Sequence, residues 1–355
     1  MKRRNLSKGG LEMFARRKIG SWVILFALVL ALMVGGLCLD KGYAALKEPV
    51  HLRFASFAIG GSWYIYASAI AKLVRPNLPE GSTIDVLPYQ GGIGNPLLLK
   101  RGKAEIALSF LPCSKWAYDG LSPYKEPIKE LRALVGGLNR PHRVGVLIRK
   151  ASGIESLRQV VEQKLPVRIV TAQVGATGQA VAMQVLHAYG ITREKLKSWG
   201  GSLEHVRMPV AMSRIKDGFA DIIIHNVGYK EPRFSELCLR VPIKFMEISK
   251  EMRQKLAEKY GYMTGLYFKA GEFKGIKQDI PAIGYPTGVI TTKELPDEVA
   301  YIITKSICEN PKDLGNAHAS LKVFDPKTAW KPEKNGIPLH PGAIEYYKDK
   351  GWMPE

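Results

Sequence analysis

Three short loops hold the residues best suited to grip a small molecule. They read Ile59-Gly60-Gly61-Ser62-Trp63-Tyr64, Gln90-Gly91-Gly92-Ile93-Gly94-Asn95 and Gln173-Val174-Gly175-Ala176-Thr177-Gly178-Gln179. Each follows an apolar run that reads as a strand and precedes one that reads as a helix. Glycine lets a chain turn sharply at a strand end and lets a ligand approach the backbone. The helix beyond offers unpaired N–H groups and the positive end of its dipole, which is the chemistry of an anion site. Ser62 and Thr177 add hydroxyls at the helix starts, where they read equally as N-caps. Trp63, Tyr64 and Tyr66 bring aromatic area for a pocket wall, although Trp63 and Tyr66 share a helical face and also fit a core. His225-Asn226 closes an apolar strand, where capping or a satisfied core role competes with ligand contact. Any one of these loops is an ordinary turn. Three in one α/β chain favour a carboxylate or phosphate cleft.

The chemistry of catalysis is missing from the same pattern. No loop closes with the GK[ST] of a phosphate-binding loop, and none reads GxGxxG. The seven histidines include no HExxH, and no GxSxG elbow or nucleophile–base spacing occurs. Nothing in the chain predicts a cofactor or a resident metal. Basic pairs such as Lys100-Arg101 lack interleaved aromatics, so nucleic acid is not the expected partner.

The elements that would place these loops alternate along the chain. Strand-like runs cover 50–58, 82–90, 104–110, 130–137, 142–150, 167–172 and 219–226. Helices are expected to about Val74 after the first loop and to about Tyr189 after the third. In residues 296–310 Val299, Ile302, Ile303 and Ile307 share one helical face, with Asp297 and Glu298 in the first turn. Strands alternating with helices predict parallel-rich α/β sheets.

Length and charge set the frame. The 355 residues, 46% of them hydrophobic, suffice for one large domain or two lobes. The formal charge of +20 fits anionic solutes, membrane surfaces or solubility alone. Residues 2–18 are basic, 22–39 are an uncharged apolar run, and Gly42-Tyr43-Ala44-Ala45 offers small residues at the −3 and −1 positions of a cut after Ala44. That order predicts a secretory signal over residues 1–44, with a retained anchor through 22–39 as the alternative. Cleavage leaves Cys113, Cys238 and Cys308, an odd number without neighbouring bases, read as buried packing residues.

Taken in order, longer blocks show a family likeness. They are FASFAIGGSWYIYASAIAKLV (54–74), GGIGNPLLLKRGKAEIALSF (91–110), LRALVGG (131–137), SGIESLRQV (152–160), VRIVTAQVGATGQAVAMQVLHAYGIT (167–192), DGFADIIIHNVG (217–228), LPDEVAYIITKSICEN (295–310) and LHPGAIEYYKDKGW (339–352). Together they resemble the TAXI family of extracytoplasmic receptors that serve TRAP transporters. The resemblance implies an α/β, two-lobed periplasmic-binding-protein type II fold with a ligand cleft between lobes. It implies a periplasmic receptor without enzymatic activity that hands a small organic anion to a membrane permease. An ABC-importer binding protein of the same fold is the near alternative; a membrane-tethered sensor is the more distant one.

Lobe 1 is expected over residues 49–138 and 285–355, and lobe 2 over 139–284. The expected ligand contacts are Ser62, Trp63, Tyr64, Gly92, Asn95, Phe110, Gln173, Thr177 and Asn226. Ser62, Asn95 and Thr177 would hydrogen-bond a carboxylate, and Trp63 and Phe110 would wall an apolar body. Trp63 replaces the first tyrosine of the family's GGTYY, Ile93 replaces the serine of its GGSxxN, and Phe110-Leu111-Pro112-Cys113 replaces a polar stretch. All three changes point to a less polar pocket.

Overall fold

The chain enters the first sheet with β1 (His51–Ala55), whose alternate residues Leu52 and Phe54 are buried. The computed structural model describes residues 46–57, 59, 61–89 and 91–354, and residues 48–355 form one compact unit. The expected export signal lies outside the described residues. β2 (Thr83–Leu87), β3 (Ile106–Phe110) and β4 (Leu131–Val135) complete the outward path of the first sheet. The chain then crosses to a second sheet built from β5 (His142–Arg149), β6 (Arg168–Ala172), β7 (Ser202–Val206), β8 (Ile222–Val227), β9 (Ile243–Met246), β10 (Met263–Phe268) and β11 (Ile280–Tyr285). It returns with β12 (Thr287–Thr292), which inserts between β3 and β4.

The first sheet therefore has the order β2-β1-β3-β12-β4, and the second β10-β11-β5-β8-β6-β7 with β9 also on β5. The neighbours of β1 are parallel to it, as the alternating pattern predicts, and so are those of β6. The strands that cross between sheets break the rule. β12 runs antiparallel to β3 and β4, and β5 runs antiparallel to β8, β9 and β11. A strand arriving from the other sheet enters from the opposite end, so it must run against its neighbours. The crossings, 136–141 and Pro286, lie side by side: Leu138 N–H donates to Thr287 O at 2.9 Å, and Thr287 N–H donates to Asn139 Oδ1 at 2.7 Å. The architecture is α/β with two lobes, each built on its own sheet and joined by this paired crossing.

Six helices position or support the loops. α1 (Ser62–Val74) buries Trp63, Tyr66, Ala67, Ile70, Ala71 and Val74, the three-and-four spacing of one apolar face. α2 (Gly94–Lys100) and α3 (Leu111–Asp119) follow β2 and β3. α4 (Thr177–Ala188) follows β6 in the second lobe. α5 (Asp297–Cys308) buries Val299, Ala300, Ile303 and Ile307, carries Asp297 and Glu298 in its first turn, and packs on α6 (Pro341–Asp349). The second lobe has its own core, in which Phe245 stacks on Phe273 with centroids 5.2 Å apart beside Leu147, Ile223 and Phe268.

Candidate functional site

The site is built where strands end and helices begin. On α1 the N-cap is Gly61, with no side-chain cap, and Ser62 is the first helical residue, exposed. On α4 the N-cap is Ala176, again without a side-chain cap, and Thr177 comes first in the helix. The N-cap reading of Ser62 and Thr177 is therefore corrected: each hydroxyl sits one position too far into its helix to cap it. Trp63 turns inward and donates its Nε1–H to Thr287 Oγ1 at 3.0 Å, so α1 is tied to the crossing.

Asn95, on α2, is fully buried beneath the loops. Its amide nitrogen faces three carbonyl oxygens, two at the end of β1 and one in the middle of β3: Ala55 O at 3.3 Å, Ser56 O at 3.0 Å and Leu108 O at 2.8 Å. An amide nitrogen has two hydrogens, so all its donor capacity is spent inside the protein. The Oδ1 atom has no partner among the described residues. Asn95 thus fastens the loop to the strands, and its amide N–H groups do not face a ligand.

The loops of the two lobes touch at Gly92. A β-carbon placed there would stand 2.7 Å from Thr177 Oγ1, 2.9 Å from the Phe110 ring and 3.2 Å from Cys113 Sγ. Thr177 Oγ1 lies 3.8 Å from Cys113 Sγ. Gly178 beside it backs onto His225, whose Nδ1 bonds Asn226 O at 2.7 Å. Gly92, Phe110 and Thr177 are thereby gathered from distant parts of the sequence, and Trp63 joins them through Phe110. Around the Phe110 ring stand Trp63 at 4.6 Å, Tyr285 at 4.8 Å and His142 at 5.3 Å between centroids. Gln173 is exposed at the end of β6, while Tyr64 and Asn226 are partly buried.

Five residues of this junction escaped the sequence reading as site residues. Cys113, in the first turn of α3, is fully buried, and burial pushes its thiol up to about 12. His142 opens β5, and burial pushes its imidazole down to about 4 despite the opposing pull of Glu231. Tyr285 ends β11, Tyr262 precedes β10, and Gln184 lies on α4, where its Oε1 accepts from the Tyr262 hydroxyl. For His142 and Tyr285 the one signal in sequence is a position next to a crossing, which is visible only once the topology is known; Cys113, Tyr262 and Gln184 carry no such signal. Leu111 and Lys115, also on α3, border a groove of about 850 Å³ with Tyr262, Met263, Trp330 and Leu339. Among the described residues no group of three His, Cys, Asp or Glu side chains could hold a metal ion.

Residues 54–351 match the NMT1-like family. The chain belongs to that family. Solved structures share its fold at low sequence identity. A Xanthomonas citri protein bound to chloride ion aligns with a TM-score of 0.50 at 9% identity, over 84% of this chain and 95% of that one. MatC from Rhodopseudomonas palustris with bound malate aligns at 0.49 and 13% identity, over 86% and 98%. A TctC solute binding protein from Polaromonas aligns at 0.47 and 15% identity, over 76% and 86%. For this NMT1-like chain the likeness to the Xanthomonas citri structure is one of fold alone.

Proposed function

We propose that this NMT1-like protein is the extracytoplasmic receptor of a TRAP-type transporter, of the TAXI kind. It captures a small carboxylate between its lobes and delivers it to membrane permease subunits without chemical turnover. The observation that carries the reading is the meeting of Gly92 with Thr177, which brings one glycine loop from each lobe to a single point. The TAXI assignment is supported by the ordered sequence blocks from residue 54 to residue 352. The lobes are 49–138 with 285–355, and 139–284. A carboxylate between the N-termini of α1 and α4 would take backbone N–H bonds and the Ser62 and Thr177 hydroxyls. Trp63 and Phe110 would cover its apolar body, with Tyr64, Gly92, Gln173 and Asn226 around it and Asn95 holding the loop in place. The mature chain would start near Ala45 and work in the periplasm. No helix among the described residues is long and apolar enough to cross a membrane.

Thermal shift against a panel of small mono- and dicarboxylates tests the binding reading. A true ligand at about 100 times its dissociation constant stabilises the folded protein by about 2.7 kcal/mol. Shifts with nucleotides, sugars or metals alone would sink the carboxylate reading. Uptake of the hit into proteoliposomes carrying the permease should need an ion gradient and no ATP. Dependence on ATP would place the protein with ABC importers instead. An intact Met1 terminus in native-host membranes would replace the soluble receptor with an anchored one.

A further inference from the structure

Two hydrogen-bond donors sealed inside the lobe junction have no partner among the described residues. One is the hydroxyl of Tyr285, a fully buried side chain at the last position before the chain crosses to β12. The other is Nε2 of Gln184, which is 6% exposed on α4. Buried polar atoms in folded proteins are nearly always paired, so two orphans in one place need a reason.

They belong to a closed circuit of contacts around the cleft. Gln184 Oε1 accepts from Tyr262. The Tyr262 ring lies 5.9 Å from Tyr285, and Tyr285 lies 4.8 Å from Phe110. Phe110 borders the point where Gly92 meets Thr177, and Thr177 leads back along α4 to Gln184. The circuit has two polar ends: the loop end, with Thr177 and the helix N-terminus, and the far end, with Tyr285 and Gln184. The groups that press on Tyr262 and Tyr285 are tyrosines and Cys113, and Lys115, which borders the groove beside Tyr262, is already paired with Asp119 at 2.6 Å. A second carboxylate at the far end would be buried without a counter-charge, which is strongly unfavourable. A neutral oxygen would accept from both orphan donors and leave neither group charged.

Resting on the carboxylate-receptor reading above, we propose that Tyr285 and Gln184 form a second, uncharged subsite for a carbonyl oxygen at the far end of the ligand. The receptor then selects oxo-monocarboxylates over dicarboxylates. The span follows from the helix: seven residues at 1.5 Å each put Thr177 and Gln184 roughly 10 Å apart along the axis. A hydrogen bond of about 3 Å at each end leaves roughly 5 Å of ligand, a chain of four to six carbons.

Calorimetric titration of hexanoate, 5-oxohexanoate and adipate into the wild type, Tyr285→Phe and the pair Gln184→Met with Tyr262→Phe tests this. The paired variant removes the amide donor together with the hydroxyl that Gln184 Oε1 accepts from, so no new unpaired polar group is left. The wild type should bind 5-oxohexanoate about tenfold tighter than hexanoate, the equivalent of one hydrogen bond, with adipate weakest. Both variants should lose most of that preference, and Tyr285→Phe should leave the ligand-free melting temperature unchanged. Equal binding of hexanoate and 5-oxohexanoate, or tighter binding of adipate, overturns the subsite while the receptor reading stands. A preference that survives both variants does the same. A lowered ligand-free melting temperature in Tyr285→Phe shows that its hydroxyl is bonded within the protein, and overturns the subsite whatever binds. If none of the three acids binds, the carboxylate reading itself fails and the subsite goes with it.

Discussion

A methyl group at Gly92 has nowhere to go when the loops meet, because Thr177 Oγ1, the Phe110 ring and Cys113 Sγ already surround that point. Overpacking of this sort costs about 1–3 kcal/mol. Gly92→Ala should therefore weaken carboxylate binding about tenfold by opposing lobe closure. Thr177→Ala removes the nearest of the three obstacles, so the double variant should bind better than the sum of the single losses. A thermodynamic cycle over the four proteins measures this, with a coupling of about 0.5–3 kcal/mol for residues in contact. Strict additivity would show that the two lobes do not meet there. Asn95 calls for a different outcome. With its amide N–H groups directed at Ala55, Ser56 and Leu108 carbonyls, Asn95→Ala should lower ligand-free stability by about 1–3 kcal/mol, read by urea unfolding. Unchanged stability would return Asn95 to the role of ligand donor.

The paired crossing is the element that makes the site, and it carries a titratable group. His142 stands at the start of β5, against Phe110, and faces Glu231, Arg143 and His225. Its folded pKa of about 4 lies below the ordinary histidine value of 6.5, and burial lowers that of His225 as well. The unfolded chain therefore binds protons first on acidification. The neutral imidazoles support the fold fully above about pH 6.5, and that support is lost as pH falls toward 4. Denaturant unfolding at about pH 7.5 and about pH 5 should show lower stability at the acid value. His142→Gln should have a flatter profile than the wild type. The same slope in both proteins would assign the acid loss to other histidines.

At the scale of the whole molecule, Cys113 reports on the lobes. Its thiol lies in the junction beside Thr177, whereas Cys238 belongs to the core of the second lobe and Cys308 lies on α5 against Tyr347. Burial pushes the three thiols up to about 12, 11 and 12 respectively, so none is a ready nucleophile while folded. Opening the lobes would expose Cys113 without unfolding either core. Iodoacetamide should label Cys113 faster than Cys238 and Cys308 in the ligand-free protein, and a bound carboxylate should slow that labelling alone. Mass spectrometry of the digested protein distinguishes the three sites. Equal rates at all three would mean that Cys113 is reached only by global unfolding.

The sequence alone determined the local parts. The glycine loops, the strands β1 to β6 and β8, and the apolar faces of α1 and α5 are all short-range patterns. Each is written in residue spacing over a dozen positions or fewer, which is the range that periodicity and capping chemistry report. The strands β7 and β9 to β12 were not legible in the same way. The crossing between β11 and β12 is a single proline in an apolar run, and nothing local marks where one sheet stops and the other begins. Only the tertiary structure decided that Trp63 bonds Thr287, 224 residues away, that Asn95 spends its amide on the carbonyls of β1 and β3, and that the Tyr285 hydroxyl and Gln184 Nε2 are buried without partners among the described residues. Those facts depend on which strand returns beside which. That choice is made by the summed packing of two cores, and no single segment carries it.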